Sequence, residues 1–196
     1  MSSNSIVLIV LAAIVVVVLV TALVIYRQQQ AKRHRRLHER FGPEYDRLVT
    51  TTGSASAAER ELEAREKRAA RYKIRALSPD EQARFAAHWQ QVQAEFVGNP
   101  NASLGHADDL LGQVMTARGY PVQDFEQRSA DLSVDHPVIV QHYHAAHGIA
   151  LHHKTGETTT EDLRQAMIHY RALFDELIAD VSPSAPVPAT ISHAAE

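Results

Sequence analysis

The chain has 196 residues, no cysteine and a formal net charge of −3. The absence of cysteine excludes a disulfide framework, a thiolate metal site and a cysteine nucleophile. Charge is unevenly distributed, and residues 1–26 carry no charged side chain. Residues 27–75 hold 14 Lys and Arg against 7 Asp and Glu, whereas residues 76–196 hold 6 Lys and Arg against 16 Asp and Glu. A neutral apolar start, a basic middle and an acidic end predict three zones with different surroundings.

The first predicted element is an uncharged apolar run over residues 6–26, preceded by five small polar or apolar residues, 1–5. About 20 residues of α-helix cross the roughly 30 Å hydrocarbon core of a bilayer, so this run predicts one transmembrane helix. A cleaved signal peptide is the alternative, but it needs a basic start and a shorter apolar run. Five basic residues follow the run closely: Arg27, Lys32, Arg33, Arg35 and Arg36.

This one-sided basic flank predicts the orientation of the chain. Lys and Arg favour the cytoplasmic side, so residues 1–5 are expected outside the cell membrane and everything after Tyr26 in the cytoplasm, as in a single-pass inner-membrane protein. The five cations are also expected to contact anionic lipid headgroups, with about 1 kcal/mol from each. No aromatic residues are interleaved with them, so the cluster does not favour nucleic acid as a partner.

Residues 27–77 are predicted to form a basic juxtamembrane and helical connector. Its predicted elements are a short helix begun by Pro43, a loop over residues 50–56 and a charged helix over residues 57–74. Glu44 and Asp46 follow the proline in the first turn, where acidic side chains favour a helix start. The charged helix has a weak apolar stripe that Arg65 interrupts, so a solvated spacer is favoured over a coiled coil.

Residues 78–180 are predicted to form an all-α bundle of about five helices, because apolar residues recur there with the helical period and no segment has the period of a strand. The predicted helices cover residues 78–98, 99–119, 124–132, 137–154 and 160–180. Ser78 and Glu81 form a capping box at the first of them, and Trp89 is expected to be buried in its apolar stripe. The Pro- and Ala-rich residues 181–196 are expected to be a disordered tail.

Five of the 12 histidines lie in residues 142–153, HYHAAHGIALHH. A zinc site needs three or four ligands, and two ligands on one helix converge best at i,i+4. No pair in this run has that spacing, but His144 and His147 are i,i+3. A third ligand would have to come from another helix, and the candidates are His169, His106 or an aspartate of DLSVDHP. Two other interpretations are open: a pH-responsive cluster, and the favoured one, surface histidines on a helix that buries Tyr143, Ala146 and Ala150.

The segment SADLSVDHP, residues 129–137, offers acid and base candidates in Asp131, Asp135 and His136. Asp135 shortly before Pro137 is also typical of the start of a helix, and this interpretation is favoured. No G-x-S-x-G, Walker A or dinucleotide-binding glycine motif is present. We therefore expect no catalytic residue and no cofactor. The alternative is a metal-dependent or acid–base enzyme that uses the His-rich helix and the DLSVDHP turn.

Four phrases carry a family resemblance: FGPEYDRLV, ERELEAREKR, FEQRSADLSVDHP and EDLRQAMIHYRALFDEL. Together, from Arg40 to Ile178, they resemble a bacterial family of conserved hypothetical proteins, which are small, single-pass and anchored at the N-terminus. The resemblance implies no activity, cofactor or catalytic residue. The sequence thus predicts a membrane-anchored cytoplasmic helical domain that acts as a protein-interaction or scaffolding module for an unknown protein partner.

Overall fold

The structure is a computed structural model that describes residues 3–121, 124–154 and 158–179. Within these ranges the chain forms eight α-helices and no strand, which confirms the all-α class. The helices are α1 (Ser3–Phe41), α2 (Pro43–Thr52), α3 (Ala55–Ala69), α4 (Pro79–Phe96), α5 (Pro100–Arg118), α6 (Phe125–Asp135), α7 (Val140–Lys154) and α8 (Thr160–Ala179). The tail predicted over residues 181–196 lies outside the described residues.

α1 is one continuous helix through the apolar run and the basic segment that follows it. It is the one helix among the described residues that is long and apolar enough to cross a membrane. Between Ile14 and Tyr26 its large apolar side chains are 47–63% exposed, whereas Leu37 and Phe41 are fully buried. One rigid element therefore joins an exposed apolar half to a half that packs into the domain.

The end of α1 forms a small core with α2, α3 and α6. Its buried members are Leu37, Phe41, Tyr45, Leu48, Ala58, Leu62 and Val134. The prediction of a solvated spacer is wrong for α3, because Ala58 and Leu62 on its weak apolar stripe have no exposed surface. That stripe is short and alanine-rich, but three neighbouring helices cover it.

The boundaries around α2 and α3 differ from those predicted. α2 continues to Thr52 and α3 begins at Ala55, so the predicted loop over residues 50–56 shrinks to Gly53 and Ser54. Gly53 takes a left-handed conformation with φ of +67°, which ends α2, and the Ser54 side chain accepts a hydrogen bond from a backbone N–H of the first turn of α3.

α3 ends at Ala69, earlier than the predicted residue 74, because the following segment leaves the helix and passes the end of α5. There the backbone N–H of Arg75 donates to the carbonyl of Arg118 at 2.8 Å. Gly119, with φ of +99°, permits this close approach, since a Cβ on it would stand 2.4 Å from the carbonyl oxygen of Lys73.

The main core lies among α4, α5, α7 and α8, with Leu132 added from α6. α4 begins with the predicted capping box of Ser78 and Glu81. Trp89 is 3% exposed, as its apolar stripe predicts, and stacks on Phe174 with 4.6 Å between ring centroids.

α6 and α7 also differ from the prediction. α6 reaches Asp135 and α7 begins at Val140, whereas the sequence predicted an end at residue 132 and a start at residue 137. Asp135 therefore ends one helix and does not start the next. α6 continues because Ser133 and Val134 are both buried against other elements, so their contacts outweigh the local preference of the sequence for a break.

Candidate functional site

A buried network of charged side chains joins α2, α3 and α6, and Glu44 lies at its centre. Its side chain, in the first turn of α2, has no exposed surface. It accepts hydrogen bonds from Arg47 at 2.7 and 2.8 Å and from Arg65 at 2.8 Å. Burial raises the pKa of Glu44, but the bonds and charges of the two arginines outweigh it, so the net shift of the pKa is downward. The carboxylate is therefore ionised at neutral pH.

Two arginines of α3 carry the network across to α6. Arg65 donates to Oγ of Ser133 at 3.1 Å, and Nε of Arg68 donates to Asp131 at 2.8 Å. The hydroxyl of Tyr72 donates to the other oxygen of Asp131 at 2.9 Å. Asp131 is 1% exposed, and both of its oxygens are engaged. The network thus binds three helices together through charge-assisted hydrogen bonds.

A second set of ion pairs, here called the α1–α3 ladder, joins the basic part of α1 to α3. Its members are Arg33 with Glu59 and Glu63 at 3.5 and 2.8 Å, Arg36 with Glu63 and Glu66 at 3.8 and 3.1 Å, and Arg40 with Glu66 at 3.0 Å. The partner numbers rise together along both helices, so α1 and α3 run parallel. The ladder gives α3 a fixed register on α1.

The ladder divides the five cations that the sequence assigned to lipid headgroups. Arg33 and Arg36 point to α3 and are already paired with glutamates. Arg27, Lys32 and Arg35 are exposed, and no ion pair joins them to another residue in the described part of the chain. The basic segment therefore has a paired side that holds α3 and an unpaired side that faces outward.

His144, one of the metal-ligand candidates, lies at the rim of the network. Its Nε2 is 3.7 Å from a carboxylate oxygen of Glu44, and its ring meets that of Phe125 edge-on at 5.6 Å. Burial lowers the pKa of His144, the charge of Arg47 lowers it further, and Glu44 opposes both. The net shift of its pKa is downward, so the imidazole is neutral at pH 7.

The other two candidates lie in separate places. His147 stacks flat on Phe125, with ring centroids 3.5 Å apart. His169, on α8, faces His142 of α7, with 2.9 Å between their Nδ1 atoms, and burial together with the His142 charge lowers the pKa of His169. Within the ranges that the structure describes, no group of three or more His, Asp or Glu side chains could hold a metal ion. The structure does not bring His144, His147 and His169 together.

The acid and base candidates of DLSVDHP, which are Asp131, Asp135 and His136, also lie apart from one another in the structure. Asp131 points into the buried network, where Gln127 also donates to it at 2.8 Å. Asp135 accepts a hydrogen bond from the hydroxyl of Tyr120 at 2.9 Å, while Nδ1 of His136 lies 3.3 Å from Glu176 of α8. The three side chains serve three different contacts between elements, which is a structural arrangement and not a catalytic constellation.

A third polar cluster lies beside a groove between α4 and α5. Asp108 accepts hydrogen bonds from the Tyr143 hydroxyl at 3.0 Å and from Arg128 at 2.8 Å. Burial and the neighbouring Asp108 raise the pKa of Tyr143 far above its ordinary value, so the phenol stays protonated. Arg128 also lines the groove, whose volume is about 790 Å³, together with Arg84 and His88.

Sequence reasoning missed the centre of the buried network. Glu44 looked like an ordinary acidic residue of a first helical turn, and Arg65 looked like a flaw in an apolar stripe. The interruption of the stripe by Arg65 could have indicated the network, because an arginine in line with buried positions needs a partner in the interior. Its interior partners, Glu44 and Ser133, lie 21 and 68 residues away in the chain, so the sequence did not identify them. Its third partner, Glu61, is four residues away and partly exposed.

Comparison of the chain with protein families, curated proteins and solved structures finds no match to any of them. The resemblance to a family of conserved hypothetical membrane proteins therefore stays a prediction.

Proposed function

We propose that this chain is a single-pass membrane protein whose cytoplasmic helical domain is a protein-interaction or scaffolding module. The observation that carries this proposal is the continuity of α1, which is exposed and apolar from Ile14 to Tyr26 and buried at Leu37 and Phe41. A long, uncharged row of exposed and mostly apolar side chains is stable in a lipid environment and costly in water. The basic flank after Tyr26 supports an N-terminus outside the bacterial inner membrane and a domain in the cytoplasm.

The ion pairs support a scaffold that is held rigidly by its anchor. Eleven residues of helix, about 16 Å, separate Tyr26 from Leu37, and the α1–α3 ladder prevents α1 from rotating against α3. The buried network then joins α3 to α6. The bundle of five helices over residues 79–179 is thereby held at a defined place relative to the membrane, which suits a protein that positions partners.

The enzyme hypothesis has no comparable support. An acid–base or metal-assisted reaction needs several unengaged polar groups around one reacting position. The sequence-predicted candidates instead engage Phe125, Glu44, Tyr120 and other residues of this chain at separate places. No group of side chains among the described residues favours this second function.

The membrane part of the proposal is tested with the full chain. We expect it to stay in the membrane fraction after an alkaline carbonate wash, and a C-terminal reporter that is active only outside the cytoplasm to remain silent. Release by carbonate would contradict the anchor. An active reporter would contradict the orientation.

The interaction part is tested by cross-linking in native membranes. The full chain is compared with a Trp89→Ala variant, which keeps α1 and disrupts the main core. We expect a defined set of cross-linked proteins that is lost in the variant while its level in the membrane is matched. If no cross-linked protein depends on the folded bundle, the scaffolding function is wrong.

A further inference from the structure

The ladder fixes which end of α3 faces the membrane. Because α3 runs parallel to α1, its first residues point toward the apolar half of α1. α2 runs opposite to α3, since Glu44 near the start of α2 bonds to Arg65 near the end of α3. The junction of α2 and α3, at Gly53 and Ser54, is therefore the part of this hairpin nearest to the membrane.

Helix rise gives the depth of that junction. Glu59 pairs with Arg33 and His34, which lie about 11–12 Å along α1 from Tyr26. Ser54 precedes Glu59 by five residues, or about 7.5 Å. The junction is thus about 4 Å, less than one helical turn, from the level of Tyr26, where the apolar run ends.

The residues of α1 and of the hairpin at this level carry positive charge and no negative charge. Residues 27–38 of α1 and residues 47–58 of the hairpin contain no Asp or Glu. Residues 50–56 are all exposed and are rich in threonine and serine. The unpaired, exposed cations Arg27, Lys32 and Arg35 lie on α1, and exposed Arg60 on α3 reaches back to Oγ of Ser56 at 2.9 Å.

The acidic residues begin farther from the membrane. Glu39 lies about 20 Å along α1 from Tyr26, and Asp46 contacts His38 near the same end. Glu59 is turned inward to Arg33 and His34. A charge senses the surface potential of a membrane only within about one Debye length, ~8 Å at physiological salt. Arg27 and Lys32 lie about 1.5 and 9 Å along α1 from Tyr26, within or close to that layer. The backbones of Arg35 and Arg60 lie about 13 Å away, and Arg60 reaches back toward the layer to contact Ser56. Among the acids, Glu61 lies one residue beyond Arg60 and is engaged by Arg65, and Glu39 and Asp46 lie farther from the membrane.

We propose that this membrane-proximal surface, formed by Arg27, Lys32, Arg35, Arg60 and residues 50–56, docks on anionic lipid headgroups. The inference rests on the proposed membrane anchor and goes further, because it seats the α2–α3 hairpin on the lipid. The sequence alone favoured a solvated spacer for α3. It also assigned Arg33 and Arg36 to lipid, whereas here they belong to the ladder.

The experiment uses the full chain in lipid nanodiscs. Native cysteine is absent, so single cysteines accept a fluorophore at one place each. Thr51→Cys labels the docking surface, and Glu39→Cys labels the same domain about 20 Å from the level of Tyr26. With nitroxide on the lipid headgroups, we expect quenching at position 51 to be several-fold stronger than at position 39. Equal quenching at both positions would overturn the docking.

A second arm tests the lipid chemistry. The label at position 51 is quenched by a small fraction of nitroxide-labelled lipid, with the nitroxide close to the headgroup. Quenching by labelled phosphatidylglycerol is compared with quenching by labelled phosphatidylcholine. We expect several-fold stronger quenching by the anionic lipid, and loss of this preference in Lys32→Gln/Arg35→Gln/Arg60→Gln. The matched control, Arg84→Gln/Arg164→Gln/Arg171→Gln, removes three exposed cations elsewhere and should keep the preference. No preference, or one that the first triple variant retains, would overturn recognition of anionic headgroups.

A label at Val17→Cys separates the two proposals. If a nitroxide deep in the acyl chains fails to quench it, the membrane anchor itself is wrong. If position 17 is quenched and position 51 behaves like position 39, the anchor stands and the docking surface is wrong.

Discussion

Breaking the Glu44–Arg65 pair should destabilise the domain strongly. Glu44→Gln leaves the Arg65 side chain, which is 7% exposed, with Ser133 and the partly exposed Glu61 as its remaining partners. Arg65→Met leaves fully buried Glu44 with Arg47 as its one remaining arginine partner. Removal of one member of a buried ion pair costs about 3–5 kcal/mol, because the other charge stays in the interior. For a protein of this size that lowers the melting temperature by about 6–20 °C.

The assay is thermal unfolding of the full chain in detergent, followed by far-UV circular dichroism. The double variant Glu44→Gln/Arg65→Met should cost less than the sum of the single variants, since it leaves no buried charge unpaired. Arg164→Met removes a solvent-exposed pair with Glu161 and serves as a matched control that should leave the midpoint unchanged. Single variants that melt like the parent chain, or costs that add without coupling, would refute the role of the network.

The pH dependence has a defined sign. The pKa of Glu44 is lower in the folded state than its reference value of 4.5. Its contribution to stability is therefore fully present above pH 4.5 and is lost as pH falls through the lower folded value. Glu44→Gln should remove this part of the acid sensitivity, and an unchanged acid transition would contradict the assignment.

Three further predictions concern single positions. Trp89→Ala should cost about 3–5 kcal/mol in chemical unfolding, because it empties part of the main core, and a loss below about 1 kcal/mol would show that Trp89 is not a core residue. Gly119→Ala should lower the free energy of unfolding by more than about 1 kcal/mol, since its Cβ would meet the carbonyl of Lys73 at positive φ. Gly105→Ala lies in a helix with open space around it and should raise the free energy of unfolding by up to about 1 kcal/mol. Equal effects of the two variants would contradict the close approach at Gly119. The pKa of His144, measured by NMR, should lie below 6.5. The stability that its neutral form contributes is present above pH 6.5 and is lost as pH falls. A pKa at or above 6.5 would contradict the burial of His144.

Sequence signals that act within one helix predicted their parts of the fold well. The capping box of Ser78 and Glu81 and the apolar stripe around Trp89 gave α4, since both depend on residues three or four apart. The burial of α3 was harder to predict from the sequence, because the interactions that bury it come from α1, α2 and α6. A charged helix with a thin alanine stripe looks solvated until those partners are known.

The sequence singled out two residues of the candidate site, but it assigned them roles that differ from those in the structure. Asp131 and His144 were singled out as an acid–base candidate and a metal ligand, and both contact the buried network. Their roles could not be read from local spacing, because they depend on Arg68, Glu44 and the packing of α7 beside α2. Glu44 itself carried no local signal beyond its place in a first helical turn.

The central claim is that one helix crosses the membrane and continues into the domain core. Nitroxide side chains placed one at a time at positions 14–41 of the full chain in nanodiscs test it directly, through the accessibility of each position to oxygen and to a water-soluble nickel chelate. We expect oxygen access and little nickel access from position 14 to 26, followed by a 3.6-residue period with minima at positions 33, 37 and 41. Nickel access throughout positions 14–26, or a break in the helical period between positions 26 and 37, would contradict the account.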